Sequence, residues 1–147
     1  MSPRKHRTRT WITATGTVAA ITASLLMTSA TVAQGADPAQ VCRDGRAGST
    51  YTQPVNQAAV PGGGGTVYLY YDNNTGYNCA VTMGAVSGST YMDVGLRRTQ
   101  EGAGQWDSGT FSSYAGPVYV EAKGICVDFT GAVGDRSVTV VGENCGA

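Results

Sequence analysis

The chain has 147 residues, with ten basic and ten acidic side chains, one histidine and four cysteines. Its formal charge of zero averages two unlike segments, because four basic residues and His6 lie in the first nine positions, whereas every acidic residue lies at or after Asp37. Residues 34–147 carry six basic and ten acidic groups, a net charge of −4, and no histidine. This composition excludes a histidine-based triad and a histidine-ligated metal from that segment, and its single lysine argues against a nucleic-acid partner.

Residues 1–33 have the organisation of a secretory signal peptide. A run rich in Arg and Lys at residues 4–9 precedes an uncharged, weakly apolar stretch from Thr10 to Gly35. Small residues at Thr31 and Ala33 predict cleavage after Ala33, and Ala33 with Gly35 offers a second register. An uncleaved membrane anchor is the alternative reading of this stretch. The pattern predicts an exported protein that does not span a membrane after processing.

The four cysteines, Cys42, Cys79, Cys126 and Cys145, all lie in the predicted mature chain. An even number of cysteines in an exported protein predicts two disulfides, and three pairings are possible. We favour pairing of nearest neighbours, which joins Cys42 to Cys79 and Cys126 to Cys145. Since no CxxC spacing and no histidine accompany them, we predict neither a metal site nor a cofactor.

Residues 34–147 are predicted to form a single domain that begins with an irregular N-terminal arm over residues 34–65. Prolines at 38, 54 and 61 and the run Gly62–Gly65 interrupt any periodicity there. The arm is expected to be irregular or a loosely paired strand, ending in a flexible glycine hinge.

Residues 66–147 are predicted to form the strand-rich core. The β-branched and aromatic residues 66–71, the turn-forming residues 72–76 and the strand-like residues 77–83 predict a β-hairpin. Apolar side chains then alternate with polar ones around residues 92–97, 118–121, 125–129 and 138–141. No stretch of eleven or more residues has a helical period. We therefore predict an all-β fold, a small antiparallel sandwich or barrel of about six to eight short strands with two disulfides.

Few side chains suit catalysis, so no catalytic residue is assigned. A Ser–Lys pair would depend on Lys123, which lies in a polar link between strands where a solvated lysine is expected. Asp128 lies between apolar residues of a strand, and we expect it to face outward. The acidic and amide side chains of residues 72–76 are of the type that binds calcium, but their spacing does not match an EF-hand and favours a hairpin turn. The same turn contains a glycosylation sequon at residues 73–75.

Aromatic side chains give the candidate binding residues. Tyr68 and Tyr70 share one face of the first predicted strand, where they form either an exposed stripe able to stack on sugar rings or part of a strand buried on both faces. Trp106 ends the loop of residues 100–106, which would suit an anchor for a protein partner.

Several blocks of this sequence resemble the spore-associated protein A family, which comprises small exported proteins of filamentous spore-forming bacteria. The blocks are residues 65–71, 75–82, 113–120 and 124–128 together with Asn144-Cys145-Gly146, and the similarity extends from Val41 to Ala147. The resemblance implies secretion, association with spores or the cell surface, family-type disulfide cysteines and no established enzymatic activity. Phe129 departs from the family, whose members usually carry Trp there, but an aromatic ring is kept.

The expected function is therefore that of a secreted, non-enzymatic spore- or cell-surface-associated protein. Its partners would be spore or cell-wall components or another secreted protein. Two alternatives remain open: a secreted hydrolase inhibitor that uses the loop around Trp106, and a polysaccharide-binding module that uses Tyr68 and Tyr70.

Overall fold

A computed structural model describes residues 35–146, so the predicted signal peptide lies outside the described residues. One helix and eight strands follow in chain order: α1 (Pro38–Asp44), β1 (Pro54–Ala59), β2 (Gly65–Asp72), β3 (Tyr77–Gly84), β4 (Thr90–Arg98), β5 (Gly104–Phe111), β6 (Tyr114–Glu121), β7 (Val127–Val133) and β8 (Arg136–Glu143). Within this range no helix has the length and apolarity needed to span a bilayer.

The strands form two antiparallel sheets of four strands each. The first sheet has the order β1-β2-β3-β6 and the second has the order β5-β4-β7-β8. Apolar side chains from the inner faces of both sheets form the main core, with Leu69, Val94, Leu96 and Phe129 all at most 1% exposed. The predicted antiparallel all-β fold with two disulfides is confirmed, and of the two predicted architectures, a sandwich or a barrel, the protein adopts the sandwich.

Alternation along each strand decides which side chains enter the core. In β4, Met92, Val94 and Leu96 are fully buried, whereas Asp93, Gly95 and Arg97 occupy the opposite face. Burying a large aliphatic side chain stabilises a fold by roughly 1.5–3 kcal/mol. A slip of one residue would expose the whole apolar set, so this pattern fixes the register of the strand.

The predicted hairpin is confirmed by the pairing of β2 with β3, which runs from Gly65 opposite Gly84 to Asp72 opposite Tyr77. Asp72 is fully buried and accepts hydrogen bonds from the Asn74 N–H at 2.9 Å and the Thr75 hydroxyl at 3.0 Å. Gly76 closes the turn with φ of +76°, a conformation that glycine adopts without steric cost. The residues considered for calcium binding therefore form a hairpin turn held by an aspartate.

Residues 35–65 of the N-terminal arm are more regular than predicted, since the arm was expected to be irregular or to form a loosely paired strand. It contains α1, which begins at Pro38. The preceding residue, Asp37, caps the helix, because its side chain accepts a hydrogen bond from the Ala39 N–H at 3.1 Å. It also contains β1, which pairs with β2. The predicted glycine hinge is a tight turn between these strands, in which the Val60 N–H donates to the Gly65 carbonyl at 2.9 Å. A helix of seven residues is too short to produce a helical period in the sequence.

The predicted disulfide pairing is confirmed. Cys42 joins Cys79 and so attaches α1 to the outer face of the first sheet, while Cys126 joins Cys145 across the β7–β8 hairpin. The two bridges span 37 and 19 residues. Closing loops of these lengths in the unfolded chain contributes roughly 4 and 3 kcal/mol, respectively, in the chain-entropy description.

Candidate functional site

The two tyrosines predicted as a binding stripe do not form one. Tyr70 is only 2% exposed and Tyr68 is partly buried, because α1 and the residues after it cover the outer face of the first sheet. Their rings stack with centroids 6.5 Å apart, and Tyr51 meets Tyr70 edge-on at 6.4 Å. Strand β2 is thus packed on both faces, which is the second of the two readings that the sequence left open.

Tyr119 completes this aromatic cluster and ties it to the helix. Its hydroxyl donates to the Cys42 carbonyl at 2.8 Å. A Cβ atom at Gly45 would lie 2.2 Å from the Tyr119 hydroxyl oxygen, so a glycine is required for this close approach. Burial is the main cause that raises the pKa of both Tyr70 and Tyr119 to about 12. These groups stay protonated at physiological pH and serve packing rather than proton transfer.

Asp128 lies on the outer face of the second sheet, as predicted, but it is only 4% exposed rather than solvated. Its carboxylate accepts hydrogen bonds from the Arg97 Nε at 2.9 Å, the Gly142 N–H at 3.0 Å and the Thr99 hydroxyl. Burial by itself would raise the pKa of Asp128, but these donors outweigh it and hold the pKa below its usual range. The carboxylate therefore stays ionised and joins three segments of the chain.

The lysine considered for a Ser–Lys pair lies at the surface. Lys123 lies exposed in the β6–β7 turn, where its backbone N–H donates to Glu121. In residues 35–146 no group of three His, Cys, Asp or Glu side chains is placed to hold a metal ion.

A groove lies on the outer face of the second sheet, beside Trp106. Trp106 lies opposite Gly95 in the β4–β5 pairing, and Gly95 lies opposite Thr130 in the β4–β7 pairing. The pyrrole edge of the indole reaches over Gly95, since a Cβ atom there would lie 2.4 Å from Trp106 Nε1. The missing side chain of Gly95 thus leaves room for the indole, which remains 55% exposed.

The groove has a volume of about 230 Å³ and is lined by polar as well as aromatic groups. Thr139 pairs with Thr130, and the Thr139 hydroxyl donates to the Thr130 hydroxyl at 3.0 Å. Arg97, whose side chain is 48% exposed, lies at one end beside Asp128. The aromatic and hydroxyl groups therefore lie along one row of the sheet, and the guanidinium group comes from Arg97, two residues further along β4.

Trp106 was predicted to end a loop, but it lies in strand β5, which begins at Gly104. The groove around it was not predicted, because its residues come from four strands whose register the sequence does not reveal. The outward position of Gly95 between Asp93 and Arg97 was the one local signal, since a glycine in a strand marks a site of close approach.

Two packed four-stranded sheets, two disulfides and an open polar and aromatic groove define a small disulfide-linked β-sandwich protein. The chain is 43% identical over 131 residues to spore-associated protein A of Streptomyces coelicolor, an alignment that covers 88% of this chain and 84% of that protein. The chain therefore belongs to the spore-associated protein A family. No family model and no solved structure matches it.

Proposed function

We propose that this protein is secreted, has no enzymatic activity and attaches to the surface of spores or of the cell wall. The observation that carries the proposal is the 43% identity to a relative named a spore-associated protein. That similarity covers 88% of the chain, so it includes most of the sandwich.

Two features support export. The basic and then uncharged residues 1–33 have the pattern of a signal peptide with cleavage after Ala33. The two disulfides, which lie in the described domain, are typical of proteins that work in an oxidising compartment.

The hydrogen bonds that the two buried carboxylates accept support a non-enzymatic role. Asp72 accepts hydrogen bonds from Thr50, Asn74 and Thr75, and Asp128 accepts from Arg97, Thr99 and Gly142. Donors hold the pKa of each carboxyl below its usual range, whereas a general acid or base needs a pKa near the working pH. Both groups stabilise loops and are poorly suited to transfer protons.

Fractionation of a sporulating culture of the producing organism tests the proposal. We expect an epitope-tagged chain to sediment with washed spores or wall fragments and to begin at Gln34. Recovery of the protein entirely in the medium would contradict surface attachment. As a control for export, Ala33→Leu removes the small residue that both predicted cleavage registers share, so this variant should remain unprocessed and bound to cells.

A further inference from the structure

We propose that the groove of the second sheet binds a neutral polysaccharide, with one pyranose ring packed against the indole of Trp106. The inference rests on the proposed function, because it identifies the class of surface component to which the protein would attach. It assigns glycan binding to a different face from the one that Tyr68 and Tyr70 occupy.

The indole supplies the apolar half of such a site. Trp106 is 55% exposed, although its pyrrole edge lies over Gly95, where a Cβ atom would also approach the methyl group of Thr130. The ring is therefore positioned by the sheet while much of its surface faces solvent. A pyranose presents a patch of C–H groups on one face, and a fixed, exposed indole is a suitable partner for such a patch because its ring is apolar and its N–H is polar.

The threonine pair supplies acceptors for sugar hydroxyls. The Thr139 hydroxyl donates to Thr130, and the Thr130 hydroxyl donates in turn to the Val138 carbonyl at 2.9 Å. Both hydroxyl protons are used within the sheet, so the exposed Thr139 oxygen keeps its lone pairs for an incoming donor. A ligand rich in hydroxyl groups satisfies this requirement.

Arg97 supplies donors without giving the groove a net charge. Its Nε donates to Asp128, and its two terminal nitrogens make no hydrogen bond to any other residue in the range 35–146. The guanidinium charge is balanced by the buried Asp128 carboxylate at 2.9 Å. Because the pair is neutral and residues 34–147 carry a net charge of −4, an uncharged glycan fits this surface better than a polyanion.

The dimensions of the groove agree with one sugar ring of a longer chain. Its volume of about 230 Å³ is below the roughly 300–1,000 Å³ of pockets that enclose a drug-sized ligand. The groove lies on an open sheet face rather than in an enclosed cavity, so a polymer can continue beyond it on either side.

Sedimentation with insoluble neutral glycans tests the inference, with cellulose, chitin and β-1,3-glucan as the probes. We expect the full secreted protein to be retained on at least one of them. Trp106→Ala should weaken retention by about tenfold or more, which corresponds to about 1.4 kcal/mol of binding free energy. Thr139→Val, which keeps the shape but removes the hydroxyl, should weaken retention severalfold.

Tyr91→Ala is the matched control. Tyr91 is 48% exposed and lies on the same face of β4 as Gly95, but it does not line the groove. Its removal should leave retention unchanged. Urea unfolding of each variant establishes that the sandwich is intact, which is expected because these side chains are at the surface.

Retention on none of the three glycans, or equal retention of the wild type and Trp106→Ala, would overturn the inference. Retention on an anionic glycan alone would overturn the assignment of a neutral ligand. Inhibition of a secreted hydrolase that depends on Trp106, without retention on glycans, would assign the groove to a protein partner instead and would also overturn it. Spore association that persists in Trp106→Ala would leave the proposed function standing while the groove assignment failed.

Discussion

The Asp107 carboxylate in β5 accepts a hydrogen bond of 2.7 Å from the backbone N–H of Gly116 in β6. These strands belong to different sheets and are not partners in either backbone ladder. A second contact of the same kind follows, since the Gln105 side-chain oxygen accepts from the Tyr119 N–H at 3.0 Å. Side chains of β5 thus take the place of backbone acceptors and hold the two sheets together along one side.

Asp107→Ala is expected to destabilise the protein by about 1–3 kcal/mol, because the Gly116 N–H loses its acceptor. Asp107→Asn keeps an acceptor oxygen and should cost less. Urea unfolding measures both changes as shifts in the midpoint at constant slope. Asp135→Ala is the control, since it removes the same charge from a side chain that is 89% exposed. Equal stability of the Asp107→Ala and Asp135→Ala variants would show that the contact does not join the sheets.

Asp128→Asn is expected to reduce stability by about 1.5–3 kcal/mol near pH 7, since hydrogen bonds to a charged group are replaced by weaker ones. The pKa of Asp128 is lower in the folded protein than its ordinary value because three donors outweigh the effect of burial. The unfolded chain therefore binds more protons, and this stabilisation is complete above the unfolded pKa near 3.9 and is lost as the pH falls through the folded pKa. Unfolding measured from pH 7 to pH 2 should show the two proteins converging below about pH 4. A difference that does not change with pH would refute the assignment.

Asp93→Asn is expected to change the stability near pH 7 in the opposite direction to Asp128→Asn. Burial, and then the nearby negative charge of Asp107, raise the pKa of Asp93. The charged form is thus disfavoured in the folded state. The protonated carboxyl group contributes stability that is complete below the unfolded pKa and is lost as the pH rises through the folded pKa. The variant should be more stable than the wild type at pH 7, and the two should become alike at low pH. A variant that is less stable at pH 7 would show that the carboxylate has a favourable partner.

Gly45→Ala is expected to destabilise the protein by about 1–3 kcal/mol, because the new methyl group overpacks the contact with Tyr119 and Pro117. The same substitution should cost less in a Tyr119→Phe background, where the hydroxyl is absent, and a double-mutant cycle measures this coupling. Gly35→Ala serves as the control, since no atom lies within 4 Å of the added carbon. Additive effects of the two substitutions would mean that the hydroxyl does not set the spacing.

Replacing Cys42 and Cys79 by serine is expected to cost roughly 4 kcal/mol and to loosen α1 from the first sheet. Tyr70 and Tyr51, which the helix and the residues after it cover, should then become accessible, and near-ultraviolet circular dichroism should lose aromatic signal. The corresponding change at Cys126 and Cys145 should cost roughly 3 kcal/mol and leave the tyrosine signal in place. Loss of that signal in both variants would show that the helix is not the element that buries the cluster.

The sequence predicts those elements of the fold whose formation depends on residues that are close together in the chain. The β2–β3 hairpin follows from its turn residues, and the alternation in β4 and β7 follows from burial of one face. Strand β5 was not predicted because its inward side chains include Gln105 and Asp107, which are polar because they bind the backbone of β6. Helix α1 escaped detection because a cap and a disulfide hold it, rather than a long apolar stripe.

The candidate site was predictable only in part. Trp106 was identified from its residue type, but its position beside Gly95 and Thr130 depends on the registers of β4 with β5 and β7. For Tyr68 and Tyr70 the sequence left open both an exposed stripe and a strand buried on both faces, since the covering element, α1, was not predicted. Long-range packing thus decided which aromatic residues reach solvent.

Helix α1 covers only one of the two sheets, and this determines which side of the molecule would face a surface to which it binds. The outer face of the first sheet is occupied by the helix and its tyrosines, whereas the second sheet presents Trp106, Tyr91 and Val141 to solvent. The two sides of the sandwich are therefore chemically unlike. A molecule held to a surface through the second sheet turns its helix outward, so a layer of such molecules would show the medium a single, uniform side.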